Sequence, residues 1–159
     1  MNILFVCTGN TCRSPMAQHL FNKIVKDLGL NHEALSVGLY AFAGDPASQN
    51  AIIVMNEEGI DLTSHRATRI FAEITQQADL ILTMGTGHKE AVLRLFPDLE
   101  EKVYTLKEYV GEEGDVADPF GGDLEVYRQT AQELKQLIYK LIAKIEGKGV
   151  ENSEDSSGS

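Results

Sequence analysis

The sequence predicts an α/β fold, a parallel sheet with helices on both faces. Short apolar, β-favouring runs alternate with helix-period stripes along the chain. One of the runs, Asp79–Met84, is apolar almost throughout, as expected of a strand covered on both faces. No repeat and no second compositional region interrupts the pattern before Gly147. Units of this kind join through right-handed crossovers, and their ligands bind beyond the C-terminal ends of the strands, where the strand order reverses.

The elements follow in order. Asn2–Val6 is an apolar, β-favouring first strand. From Pro15 to Leu28 the apolar residues Met16, Leu20, Phe21, Ile24, Val25 and Leu28 fall at helical spacing, and Gly29 stops the helix. Ser14 is a good N-cap and Pro15 suits the first helical position. A second strand fits Ala34–Tyr40, and Ala43-Gly44-Asp45-Pro46 turns the chain. Ala47–Glu58 reads as a helix ended by Gly59, and Ile60–Thr68 as a connection. A short helix follows near Phe71–Gln77, then the strand Asp79–Met84, a helix from about His88 to Phe96, and a fourth strand at Lys102–Leu106. A polar, Gly-rich loop spans Glu112–Gly122 before a long amphipathic helix with the stripe Val126, Tyr127, Leu134, Leu137, Ile138, Leu141, Ile142 and Ile145. This predicts one domain over 1–146 and a disordered acidic tail over 147–159, where Gly, Ser, Asn, Glu and Asp dominate.

Composition narrows the function. A chain of 159 residues with 43% hydrophobic residues can bury a proper core. A net charge of −10 argues against nucleic acid or an anionic membrane as partner. The same charge attracts no phosphorylated substrate at long range, so affinity for one must be local. Two cysteines five apart make no disulfide framework, and the Cys and His spacings suggest no metal site; no cofactor is expected. The first strand is too short and lacks the basic leader of a signal peptide, which points to the cytoplasm.

The chemistry gathers in Cys7-Thr8-Gly9-Asn10-Thr11-Cys12-Arg13-Ser14, between the first strand and the first helix. Loop amides and a helix N-terminus make an anion cradle. Arg13 can close it with a bidentate fork onto two oxyanion oxygens. Cys7 lies at its base, where that field suits a nucleophilic thiolate. An Arg six places after a Cys occurs by chance; the strand before, Gly9 and Asn10 within and Ser-Pro after make it a motif. Asn10 tolerates the positive φ that a tight anion nest needs. Ser14 can cap the helix or donate to Cys7, and both uses are compatible. Cys12 either fills the loop interior or approaches Cys7 closely enough to form a protective, reversible disulfide.

The Cys-x5-Arg-Ser spacing in this setting resembles the low-molecular-weight protein tyrosine phosphatase family, most nearly its bacterial protein-arginine phosphatases, which carry the same loop with Thr at the Thr11 position. The resemblance implies a flavodoxin-like three-layer sandwich around a four-stranded parallel sheet of order 2-1-3-4. It implies a general acid at Asp118, in the Asp118-Pro119-Phe120-Gly121-Gly122 turn; alone, an Asp-Pro turn is a weak signal. It also implies that Ser36 and His65 tie the Asn10 side chain. Ser36-Val37-Gly38 stands where Ser-Ala-Gly is usual, which leaves the serine in place. Tyr40 and Phe120 are candidates for the pocket mouth. The expected function is hydrolysis of phosphoarginine in proteins through a phosphocysteine; the alternative is phosphotyrosine, whose specific relatives usually carry a bulky aliphatic residue at the Thr11 position. The expected partners are phosphorylated proteins; the sequence leaves the oligomeric state open, a monomer included. An arsenate reductase on this fold would need further cysteines, a metal-dependent phosphatase a ligand cluster, and a mere phosphate-binding module neither Cys7 nor Asp118.

Overall fold

The computed structural model describes residues 1–147. Strands β1 (Asn2–Cys7), β2 (Glu33–Gly38), β3 (Leu80–Thr83) and β4 (Val103–Thr105) form one parallel sheet of order β2-β1-β3-β4. Helices α1 (Arg13–Asp27), α2 (Gln49–Glu57), α3 (Ala72–Gln77), α4 (Thr86–Leu95), α5 (Leu106–Tyr109) and α6 (Leu124–Ile145) cover it. The chain leaves β1 for β2 on one side and later returns to β3 on the other, so the order reverses beside β1. Cys7 ends that strand, paired with Gly38 of β2.

Strand period sorts β1 between two cores. Ile3, Phe5 and Cys7 face α1, α2 and α6, in a cluster with Met16, Phe21, Met55, Leu134 and Ile138. Leu4 and Val6 face the opposite way, with Ile81, Val103 and the α4 residues Ala91 and Val92. Phe5 meets Phe21 of α1 edge-on, ring centroids 6.2 Å apart. Gly29, at φ 71°, takes the chain out of α1 through the left-handed region that a Cβ disfavours.

The expected elements are present, with differences at their ends and in short pieces. The α1 N-cap is Cys12, not Ser14, and no side chain caps that helix start. The one-turn helix α5 and a 3₁₀ helix over Pro97–Lys102 were not expected. Four residues of α5 show no periodicity, although Thr105 and Glu108 form a reciprocal capping box whose Thr-x-x-Glu spacing is visible in the sequence. Val126 belongs to no core face of α6, being 40% exposed. No helix among the described residues is long and apolar enough to cross a membrane. Beyond Gly147 the expected disordered tail lies outside the described residues.

Because Phe5 is fully enclosed, Phe5→Ala is expected to lower stability by about 3–5 kcal/mol in urea unfolding. A loss below about 1 kcal/mol would show that this face is not the close-packed one.

Candidate active site

The loop after β1 is held in shape by Asn10. Its backbone has φ 58°, the one non-glycine positive φ among the described residues, and its side chain is fully buried. Asn10 Nδ2 donates to Ser14 Oγ and to Ser36 Oγ, 2.9 Å each, and Oδ1 accepts from the Thr68 amide at 2.9 Å. His65 bonds the Asn10 main-chain carbonyl at 2.8 Å, rather than the side chain that the resemblance implied. A carbonyl only accepts, so His65 Nε2 carries the proton. Burial, the leading cause, holds the His65 pKa below the ordinary imidazole value. The Ser36 hydroxyl in turn donates a hydrogen bond to Gln18 Oε1.

The loop also rests on the residues that follow β2. Leu39 and Tyr40 donate their amides to the carbonyls of Cys7 and Thr8, each at 2.9 Å. Gly38 lies directly beneath: a Cβ there would sit 2.7 Å from Thr8 O and 2.8 Å from Asn10 N. The close approach leaves no room for a side chain.

Cys7 Sγ and Ser14 Oγ are 2.8 Å apart. Since Ser14 already accepts from Asn10, its single proton is free to point at the sulfur. Arg13, 7% exposed, donates Nη1 to Val116 O at 2.9 Å, and its Nη2 lies 3.6 Å from Asp118 Oδ2. Asp118 Oδ1 accepts from the Phe120 amide, closing the turn that carries it. Together Cys7, Thr8, Gly9, Thr11, Cys12, Arg13, Asp118 and Phe120 line one pocket of about 240 Å³. Its base presents the uncapped start of α1.

Tyr40 is not at this pocket. It lines a separate groove with Leu39, Arg69, Ile70 and Leu95, while its amide bonds the Thr8 carbonyl. Both thiols are free. Cys12 approaches Tyr127 Oη at 3.3 Å and Ser48 Oγ at 3.4 Å. Burial first, then the contact with Cys12, raises Tyr127 to about 12. Ser48 caps α2 and donates its amide to Thr11 O, fastening that helix to the loop. Sequence reasoning missed Gly38, Ser48, Thr68, Tyr127 and His88; only Ser48, ahead of a helical run, carried a readable cap signal. His88 reaches Thr8 Oγ1 through Nε2 at 2.9 Å. Among the described residues, no cluster of three His, Cys, Asp or Glu could hold a metal ion.

Gly38→Ala is expected to displace Thr8 and Asn10 and weaken inorganic phosphate binding by about ten-fold, the worth of one charge-assisted hydrogen bond. Calorimetric titration, with circular dichroism as a control for folding, checks this. Unaltered affinity would show that the loop does not depend on the close approach.

The model of the family described as "Low molecular weight phosphotyrosine protein phosphatase" matches residues 2–151. A protein-arginine-phosphatase of Bacillus subtilis (strain 168) is 44% identical over 142 residues, 89% of this chain and 94% of that protein. The crystal structure of a low molecular weight protein tyrosine phosphatase from T. tengcongensis superposes with TM-score 0.89 at 51% identity, covering 91% of this chain and 99% of that one. The YwlE arginine phosphatase, in a Cys-to-Ser mutant with a phosphorylated active-site serine, superposes with TM-score 0.89 at 42% identity, covering 92% and 96%. A strand–loop–helix cradle on a sheet of this order, matched along nearly the whole chain, makes this protein a member of the low molecular weight phosphotyrosine protein phosphatase family.

Proposed function

We propose that this chain is a cysteine-dependent protein phosphatase that hydrolyses phosphoarginine in proteins through a phosphocysteine intermediate. The observation that carries the reading is the single pocket lined by the Cys7 thiol, the Arg13 guanidinium and the Asp118 carboxyl. Cys7 attacks phosphorus in line. The loop amides, the start of α1 and Arg13 take the charge on the equatorial oxygens, where fixed dipoles need no reorganisation as the charge shifts. Asp118 gives a proton to the departing nitrogen, then takes one from the water that cleaves the phosphocysteine. Ser14 donates to the sulfur each time it leaves as thiolate. The reaction draws on no group beyond these side chains and the backbone. Phosphorylated proteins of the cytoplasm are the substrates in this reading.

Thr11 supports phosphoarginine over phosphotyrosine. Its side chain borders the pocket, and it is short and polar. The guanidinium of phosphoarginine is thin and carries N–H donors that need acceptors, whereas a phenyl ring packs best on a bulky aliphatic wall. The Thr11 hydroxyl and the unprotonated oxygen of the Asp118 acid are acceptors of the right kind. The protein-arginine-phosphatase relative supports the same choice. The tyrosine reading stands as the alternative because the T. tengcongensis relative bears that name at 51% identity.

Two outcomes follow. Asp118→Asn is expected to lose roughly 10²–10⁴-fold in turnover of substrates with basic leaving groups and much less with activated aryl phosphates; equal losses on both would indicate a structural use of the carboxylate. Thr11→Ile is expected to impair phosphoarginine hydrolysis by about ten-fold or more while sparing or raising phosphotyrosine hydrolysis. If the ratio of the two kcat/KM values stays unchanged, Thr11 does not select the substrate.

A further inference from the structure

His88 stands apart from the machinery just described, yet the topology sets it against the cradle. It is the third residue of α4, which begins just beyond the end of β3, and β3 is the strand next to β1. Its Nε2 lies 2.9 Å from Thr8 Oγ1, on the first residue after Cys7. Its other nitrogen, Nδ1, is sealed from solvent and has no hydrogen-bond partner.

Those two facts fix where the ring proton sits. Burial first, and then the nearby Arg13 charge, hold the imidazole below its ordinary range, outweighing Asp115 and Asp118; the ring is neutral and has one N–H. Placed on Nδ1, that proton would be a buried donor with no acceptor. Buried N–H groups left unpaired are rarer and costlier than acceptors left so. The proton therefore belongs on Nε2, and Nε2 donates to Thr8 Oγ1.

The Thr8 hydroxyl then accepts from His88 and keeps its own proton. No other side-chain or backbone partner of Thr8 Oγ1 occurs among the described residues, and Thr8 lines the Cys7 pocket. We infer that His88 is a positioning residue: by occupying the Thr8 hydroxyl oxygen as a donor, it leaves the Thr8 O–H to donate to a phosphoryl oxygen bound over Cys7. This rests on the phosphatase reading of the pocket. It adds a side-chain donor on the α4 side of a cradle otherwise made of amides and Arg13. A hydroxyl with a free rotor would spend part of its time donating elsewhere; one that already accepts from a fixed ring loses that freedom.

The test is a double-mutant cycle on the full chain, read as inorganic phosphate affinity by calorimetry and as kcat/KM on p-nitrophenyl phosphate. Thr8→Val and His88→Ala are each expected to weaken phosphate by about ten-fold. The double variant should be no worse than either, since both remove one donor. His88→Gln, which keeps an N–H near the Nε2 position, should restore most of the affinity, an effect that mere loss of packing would not give. Melting temperatures separate lost folding from lost binding. Phosphate affinity unchanged in folded His88→Ala, additive losses in the double variant, or failure of His88→Gln to recover beyond His88→Ala would each overturn the inference while leaving the phosphatase reading intact. A wild-type protein that binds no phosphate would overturn that reading and this inference with it.

Discussion

The structure of the site depends on one side chain held in an unfavourable backbone conformation. Asn10 adopts the left-handed region because its amide group is satisfied on every side: by Ser14 of α1, by Ser36 of β2 and by the Thr68 amide. Segments far apart in sequence thus converge on one residue of an eight-residue loop. The left-handed conformation costs about 1–2 kcal/mol for a residue with a Cβ, and the network repays that with bonds in a buried setting, where leaving any one unmade is expensive. The consequence reaches the chemistry. Because Asn10 occupies the Ser14 oxygen as a donor, the Ser14 proton is directed to Cys7. Loop shape and the hydrogen bond to the Cys7 sulfur are one constraint.

Much of this was legible in the sequence, and what was not has a common cause. Strand and helix periods located β1 to β4 and the long helices, because burial on two sheet faces imposes those periods directly. Cys7, Arg13 and Asp118 could be singled out because the proposed reaction calls for those side-chain types next to a strand end, a helix start and a late loop, and the three line one pocket. Misses arose where a residue acts through a neighbour distant in the chain. Gly38 matters for the space beneath Thr8 and Asn10, and His88 for its reach to Thr8, 80 residues away; neither leaves a local pattern. Tyr40 went astray for the reverse reason. Its amide does bond the loop, but the residue lines the groove with Arg69 and Leu95. Ser14 looked like a helix cap from its neighbours alone, whereas Cys12 occupies that position and leaves the first amides of α1 free of a side-chain cap.

A chain of net charge −10 can bind an anion only through a local field. Its surface ion pairs, such as Arg128–Glu57 and Lys135–Glu58 between α6 and α2, are solvated and contribute little. The buried guanidinium of Arg13 is different. Water does not screen it on most sides, and it lines the same pocket as Cys7, Thr8 and Gly9. At separations beyond about 8–10 Å, physiological salt damps the acidic surface, so repulsion reaches the pocket weakly while the cradle acts at contact.

Arg13 also solves a problem of registration. The general-acid candidate sits on the long segment 110–123, with its carboxyl half exposed, so its distance from the phosphate must be set by something other than burial. Val116 supplies that. Its amide bonds Met84 O beyond β3, and its carbonyl accepts from Arg13 Nη1. The Arg13 guanidinium is therefore bonded to the loop two residues upstream of Asp118, the acid of the proposed reaction. In the free pocket its other nitrogen faces Asp118 at 3.6 Å, a distance at which the pair is loose. In the proposed reaction, a phosphoryl group over Cys7 would compete for that nitrogen. The turn closed by the Phe120 amide holds the segment that carries Asp118 beside the same pocket.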